Sequence, residues 1–222
     1  MQFKVLMMGA TGAVGGQTAA TLLGMPQVQE LRLLGRRPWQ APQDSAKLRQ
    51  DTVDVLNPAS YQALLPGHHA AICTLGVGQP SQITRAEFLR IDRDAVLAFG
   101  QACKAAGVQH FSLLSSVGAN AASSSFYLRS KGELEDGLRA LGFARLSLFQ
   151  PSMILTPHNR YGFTQAVTLA LWPGLSRLLH GAMRKYRGVQ VATLGRAIAH
   201  NLKHPGQGCE ILQWDQFEGL GK

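Results

Sequence analysis

The sequence predicts an α/β protein with a parallel sheet covered by helices on both faces, and three observations carry that reading. Short apolar runs alternate with helix-patterned segments from residue 3 to residue 151. The first of these runs ends in a glycine-spaced turn that opens directly into a helix. That first run, "FKVLMMG" (3–9), is continuous rather than alternating, which suits a strand buried on both sides. Such alternation builds a doubly wound sheet, because parallel neighbours are joined by a crossover helix. At 222 residues the chain suits one domain with a small appendage.

The elements follow in order. "FKVLMMG" (3–9) reads as the first strand and Ala13–Leu23 as a helix ended near Gly24 and Pro26. "ELRLLG" (30–35) is a second strand, "TVDVLN" (52–57) a third, and Pro58 is placed to open a short helix through Leu65. "HAAICTLG" (69–76) is a fourth strand and residues 84–106 are strongly helical. "HFSLLSS" (110–116) makes a fifth strand, 124–141 a helix, and "ARLSLFQP" (144–151) a sixth strand. After Pro151 the rhythm changes: residues 158–187 are rich in Trp, Leu, Arg and Gly, with breaks at Pro173 and Gly181. A helix at 192–203 and a late strand "CEILQW" (209–214) follow. The expected organisation is one nucleotide-binding domain, to which residues 152–222 contribute a small C-terminal substrate cap.

The turn "GATGAVGG" spaces Gly9, Gly12 and Gly15 as G-x-x-G-x-x-G, with Thr11, Ala13 and Val14 between them. A turn this tight needs tolerance of positive φ and a bare backbone where a pyrophosphate lies. The helix that follows offers free N–H groups and partial positive charge to that phosphate. Its place between strand and helix makes the spacing a dinucleotide-binding signal. The second strand ends in "LLGRRP", with Arg36 and Arg37 where an NAD site commonly has an acid. Guanidiniums clamp a 2′-phosphate by paired, charge-assisted hydrogen bonds, so NADP(H) is preferred, with NAD(H) the alternative. Asp54 is a candidate partner for the adenine amino group and equally a cap for the turn before Pro58. Leu75 and Gly76, ending the fourth strand, and Pro151, after the sixth, are further expected cofactor contacts.

Composition narrows the function classes. Apolar residues make up 45% and charged ones 16%, ordinary for a folded enzyme and wrong for a disordered chain. No apolar run reaches the ~18 residues of a membrane span, and the N-terminus runs straight into a strand without a cleavable signal pattern. Cys73, Cys103 and Cys209 are few and scattered, and the seven histidines lack metal-ligand spacing, so neither disulfides nor a metal site is expected. A reducing cytoplasm fits. Lys and Arg total 22 against 13 acids, and residues 137–209 contain nine Lys/Arg and no acid. That excess suits an anionic small-molecule substrate, an acidic protein partner or an anionic membrane surface. The basic residues are scattered without a nucleic-acid motif, so nucleic acid is not expected. The stretch 163–186 has apolar residues with its Arg and Lys gathered late, as in a surface-seeking segment; helices packing a cap on the core explain it better.

The chemistry concentrates in "FYLRSKGELE" (126–135). Tyr127 and Lys131 are four apart, so a helix presents them on one face. Ser115 and Ser116 close the fifth strand, at the end of the sheet where doubly wound folds bind ligands. A hydroxyl, a phenol and an ammonium thus gather near a nicotinamide. Hydride transfer at a carbon needs a proton moved at the attached oxygen. A free phenol titrates near ~10, and an adjacent ammonium favours its phenolate. The spacing does not choose between the two serines.

The glycine loop, the serine pair and the Y-x-x-x-K motif resemble the short-chain dehydrogenase/reductase superfamily. "LLGRRP", "RIDRDAVLAFGQACKAAGVQHFSLLSSVGAN" and "SSSFYLRSKGELE" resemble more closely the HIV Tat-interacting protein oxidoreductase family and its bacterial relatives, atypical members of that superfamily. The likeness runs through most of residues 3–155. It implies a Rossmann-type fold, bound NADPH, Tyr127 as proton donor and acceptor, Lys131 as ribose-binding residue, and Ser115 or Ser116 as substrate-orienting hydroxyl. Asp92 stands where many relatives have asparagine, and Gln150 where related enzymes often have arginine. Two function classes follow: an NADP(H)-dependent oxidoreductase or epimerase-like enzyme, and an NADPH-binding regulatory protein acting through a partner with little turnover. Tyr161, Phe163 and Trp172 are candidates to line the pocket, and helices 84–106 and 124–141 offer faces for a dimer.

Overall fold

The computed structural model describes residues 2–78, 82–156 and 179–222. Seven strands form one sheet in the order β3-β2-β1-β4-β5-β6-β9, every neighbouring pair parallel. They are β1 (Phe3–Met8), β2 (Val28–Gly35), β3 (Leu48–Thr52), β4 (Ala70–Cys73), β5 (His110–Leu114), β6 (Arg145–Phe149) and β9 (Gly208–Leu212). A two-stranded parallel pair, β7 (Ile154–Leu155) and β8 (Val189–Gln190), stands beside it. This is the Rossmann-type doubly wound sheet that the alternation predicts.

β1 shows why its run is continuous. Val5 and Met7 pack into one apolar cluster, with α1 (Ala13–Gly24) and α5 (Val191–His200). Leu6 and Met8 pack into the other, with α3 (Ala95–Ala105) and α4 (Phe126–Ala140). All four side chains are fully buried. Each contributes roughly 1.5–3 kcal/mol by leaving water.

The third strand differs from the expected 52–57. It is Leu48–Thr52, a half-exposed edge strand of sequence LRQDT. An edge strand has no second apolar neighbour, so it carries no apolar run to find. Val53 and Val55 are buried in the core from the turn that follows. Asp54 Oδ1 accepts the Leu56 N–H at 3.0 Å and holds that turn. The segment from Pro58 is two single 3-10 turns, Pro58–Ser60 and Gln62–Leu64, rather than one helix.

The helical stretch 84–106 is interrupted. α2 (Arg85–Leu89) starts at a capping box of Thr84 and Glu87, a π turn occupies Arg90–Asp94, and α3 continues. The extra residue of a π turn rotates the helix face locally, and Asp92 sits at its centre.

Residues from 189 onward join the body of the fold. β9 pairs with β6, α5 packs on α1, and α6 (Trp214–Leu220) packs on α5. Residues 157–178 of the expected cap, with Tyr161, Phe163 and Trp172, lie outside the described residues. Among the described residues no helix is long and apolar enough to cross a membrane.

Candidate active site

The order of the sheet reverses at β1, whose neighbours are β2 and β4. A crevice forms at such a switch point, outside the carboxyl ends of the strands. The glycine turn sits there, and its three glycines have different reasons. Gly9 has φ +98°, and a Cβ on it would lie 2.5 Å from the backbone of Thr74 and Leu75. On Gly15 a Cβ would lie 2.1 Å from the Gly9 carbonyl oxygen. Both are demanded by the fold. Gly12 is extended, at φ −77° and ψ 166°, and a Cβ there would meet only one atom, at 3.4 Å. Nothing in the protein requires glycine at 12. Its bare backbone faces outward at the start of α1, where no side chain caps the N–H groups and no acid stands in the first turn. A diphosphate fits that cradle.

Three cavities run together along the crevice. One of about 370 Å³ is lined by Gly9, Thr11, Arg36, Arg37 and Trp39, among others. A second, of about 340 Å³, is apolar, with Val55, Leu56, Ile83 and Ile91 on its walls. The third, of about 280 Å³, holds Gly12, Ala13, Val14, Gly15, Ser115, Tyr127 and Lys131. Arg36, Val55 and Leu75 are shared by the first two, and Leu75, Gly76, Val77 and Gly78 by the last two. A continuous trough with a basic end, an apolar middle and a hydroxylated end suits an elongated dinucleotide.

At the basic end, Arg36 and Arg37 are exposed. The nearby acids Glu30 and Asp51 face Arg32 instead, at 3.6 and 3.8 Å. Asp54 is exposed and tied into its turn, and it is not among the residues lining these cavities.

At the other end, α4 is set by its N-cap, Ser125, whose hydroxyl accepts the Leu128 N–H. Gly132 lets the loop at Asn120 and Ala121 press against the helix, since a Cβ there would lie 2.2 Å from that backbone. Tyr127 and Lys131 share the face towards the cavity, with Lys131 Nζ 5.9 Å from the centre of the phenol ring. The ammonium is held by Asp92, with Nζ donating to Oδ1 at 2.9 Å, and both side chains are almost fully buried. Asp92 Oδ2 also accepts the Val77 N–H at 2.6 Å. Burial works to lower the Lys131 pKa, but Asp92, Tyr127 and the hydrogen bond to Asp92 together outweigh it and hold it above its ordinary value.

The two serines separate. Ser115 is buried and lines the cavity. Its hydroxyl donates to Glu135 at 2.5 Å, and its N–H donates to the Phe149 carbonyl at 2.7 Å. Ser116 is half-buried, with its hydroxyl 3.4 Å from the neighbouring Val117 carbonyl, and does not line the cavity. Pro151 is buried beyond β6, where its carbonyl accepts the Val117 N–H at 2.9 Å; it does not line the cavity either.

Sequence reasoning missed the partnership of Asp92 with Lys131, the apolar wall of Val55 and Ile91, and Glu135. Residues 127, 131 and 135 are spaced i, i+4, i+8 on one helix face, so the spacing carried a signal for Glu135.

The crevice and its glycine cradle define a dinucleotide-binding fold of the Rossmann class. A family model described as NAD(P)H-binding matches residues 9–148. Protein HTATIP2 of Rattus norvegicus is 34% identical over 229 residues, covering 100% of this chain and 91% of that protein. The chain therefore belongs to the NAD(P)H-binding family, and Protein HTATIP2 is its relative over the full chain. A fungal relative, "Protein fmp52, mitochondrial" of Emericella nidulans, is 26% identical over 87% of this chain and 84% of its own. Among solved structures, "MoeE5 in complex with UDP-glucuronic acid and NAD" superposes with a TM-score of 0.71. It is 20% identical and covers 94% of this chain and 75% of its own. At that identity the likeness is one of fold, shared with dehydrogenases and epimerases.

Proposed function

We propose that the chain is an NADP(H)-dependent oxidoreductase or epimerase-like enzyme acting at a carbonyl or hydroxyl of a small molecule. The observation that carries this reading is the continuous trough, with the exposed guanidiniums of Arg36 and Arg37 at one end and the Tyr127–Lys131 face at the other. When bound, NADPH supplies the hydride. The chain itself handles proton and charge. Tyr127 gives its proton to the substrate oxygen in reduction and takes it back in oxidation. Lys131, fixed by Asp92, keeps a positive charge beside the ring as negative charge develops there. Arg36 and Arg37 receive the additional phosphate that distinguishes NADP(H) from NAD(H). The basic excess suits an anionic substrate, and the three free cysteines suit a reducing cytoplasm.

Fluorescence titration with NADPH and NADH tests the cofactor assignment. Charge-assisted hydrogen bonds are worth about 1.5–3 kcal/mol each, so Arg36→Ala with Arg37→Ala weakens NADPH about 100-fold and NADH only slightly. Equal losses for both cofactors would remove the assignment. Turnover of a carbonyl panel with NADPH tests the chemistry: Tyr127→Phe lowers it at least about 100-fold, and unchanged turnover in that variant sinks the mechanism.

One feature favours a second reading. Lys131 is engaged by Asp92 and the Ser115 proton by Glu135, which suits a regulatory protein that holds NADPH and turns it over slowly while a partner reads its state. Tight NADPH binding without turnover on any carbonyl distinguishes that case.

A further inference from the structure

Ser115 lines the cavity beside Tyr127 and Lys131, yet its proton is directed away from the reacting groups. Its acceptor, Glu135, is 1% exposed. Glu135 Oε2 is paired with Arg139 Nη2 at 3.0 Å. Gln150 Nε2 donates to both carboxylate oxygens, at 2.9 and 3.1 Å. Gln213 fixes the orientation of that amide by donating from Nε2 to Gln150 Oε1 at 3.1 Å. Gln150 therefore presents its NH₂ to Glu135, and the carboxylate receives donors from three side chains. Both oxygens of Glu135 are taken up as acceptors, Oε1 from Ser115 and Gln150 and Oε2 from Arg139 and Gln150, so the Ser115–Glu135 bond runs from the serine to the acid. A hydroxyl has one proton and two lone pairs. With its proton on Glu135, Ser115 has only lone pairs left for a ligand.

We propose that Glu135 is a positioning residue that fixes Ser115 as a hydrogen-bond acceptor, and that the site takes substrates with a hydroxyl adjacent to the reacting carbon. This rests on the reading of the cavity as the substrate site. A carbonyl oxygen placed against the Ser115 lone pairs is repelled, so the reacting oxygen goes to Tyr127 and a separate donor meets Ser115. Ser115 and Tyr127 line the same cavity, so we place that donor on a neighbouring carbon. The chemical class is an α-hydroxy carbonyl in reduction and a vicinal diol in oxidation. Ser115 then discriminates among substrates rather than activating the carbonyl.

Binding of two ring ketones to the NADP⁺ complex of the full chain, measured by calorimetry, tests this. α-Hydroxycyclohexanone can donate to Ser115, whereas α-methoxycyclohexanone has the same ring and carbonyl but cannot. One neutral hydrogen bond is worth about 1–1.5 kcal/mol, so the hydroxy compound binds wild-type protein about tenfold tighter. In Ser115→Ala the ratio falls to about twofold or less. In Glu135→Gln the amide donates to Ser115, the serine proton turns to the cavity, and the methoxy compound gains, again lowering the ratio. Melting temperature and NADPH affinity, recorded alongside, separate a lost preference from a lost fold. If Glu135→Gln does not fold, Ser115→Ala alone decides. A wild-type ratio near one, a tenfold ratio retained in Ser115→Ala, or failure of both ketones to bind overturns the proposal. Because binding is read, discrimination here with no turnover on any carbonyl of the panel sinks the enzyme reading and leaves this one standing; turnover without discrimination does the reverse.

Discussion

Two buried polar clusters lie at opposite ends of the same strands and do different work. At the amino end of β6, Arg145 donates to Glu210 of β9 at 2.7 and 2.9 Å and to Asn201 Oδ1 at 2.8 Å. It also reaches the carbonyls of Asn201 and His204. Ser147 bonds Glu210 at 2.5 Å, and His110 stands 2.7 Å from Ser147. Serine, histidine and acid in contact have the composition of a nucleophilic triad, but Ser147 is 0% exposed and cannot meet a substrate. The cluster stitches β9 and the end of α5 onto β6. At the carboxyl end, Lys131, Asp92 and Ser115 are as deeply buried but line a cavity. Lys131 has three protons, one of them engaged by Asp92. Burial and charge therefore do not mark the site. Hydrogen-bonding capacity left over beside a cavity does.

The largest expected effect is at the closed end. Arg145→Ala leaves the half-buried Glu210 and the buried Asn201 without their central donor, and removing the buried partner of such a network costs about 3–5 kcal/mol. Urea denaturation should show a loss of about 4 kcal/mol, with NADPH affinity of the folded fraction unchanged. A parallel loss of NADPH affinity would show that the two ends are coupled rather than separate.

Acid separates the clusters next. Burial, together with the Arg145 charge and against the opposing pull of Glu210, lowers the His110 pKa to about 4. A folded-state value below the unfolded ~6.5 means that the unfolded chain binds the proton first. Stability is therefore complete above about pH 6.5 and declines as pH falls towards 4, by up to about 3 kcal/mol. His110→Gln should flatten the stability profile in that window. Glu210 acts lower: burial raises its pKa, but Ser147, Asn201 and Arg145 outweigh that and depress it. Its contribution is present above the ordinary carboxylate range and is lost as pH falls further. A His110→Gln variant as acid-labile as wild type would refute this ordering.

What the sequence made legible is what local physics decides. β1 and β4–β6 are largely buried and announce themselves as apolar-rich runs, and β2 does so through its apolar end "LLG". The edge strand β3 is polar, and its apolar neighbours Val53 and Val55 mark a turn instead. The glycine turn and Arg36–Arg37 are contiguous in the chain, and Tyr127–Lys131 is a helix-face spacing, so all could be read. The pairing of Asp92 with Lys131 spans 39 residues and depends on a π turn, which no periodicity reveals. Glu135 had the right spacing, yet an acid on an amphipathic helix reads as solvent-facing. Asp54, Ser116 and Pro151 lie in turns or at strand ends, where a shift of one residue exchanges cavity for interior.

The smallest effect probes the open end, through Asp92→Asn. The carboxylate accepts from Lys131 on one oxygen and from the Val77 N–H on the other. An amide has a single acceptor oxygen, so one donor is left facing an NH₂ group and the charge pair is gone. A hydrogen bond to a charged group is worth about 1.5–3 kcal/mol, so at pH 7 the variant should be about 2 kcal/mol less stable. The pH dependence identifies the cause. In wild type the Lys131 pKa is raised in the folded state, so its contribution is complete below the unfolded ~10.4 and is lost as pH rises through the folded value. Without Asp92, burial dominates, the folded value drops below the unfolded one, and the variant gains stability as pH rises towards ~10. The two melting curves should therefore converge above about pH 10. A gap that stays constant from pH 7 to 11 would mean that Asp92 acts through Val77 and the loop alone, and that the ammonium is indifferent to its partner.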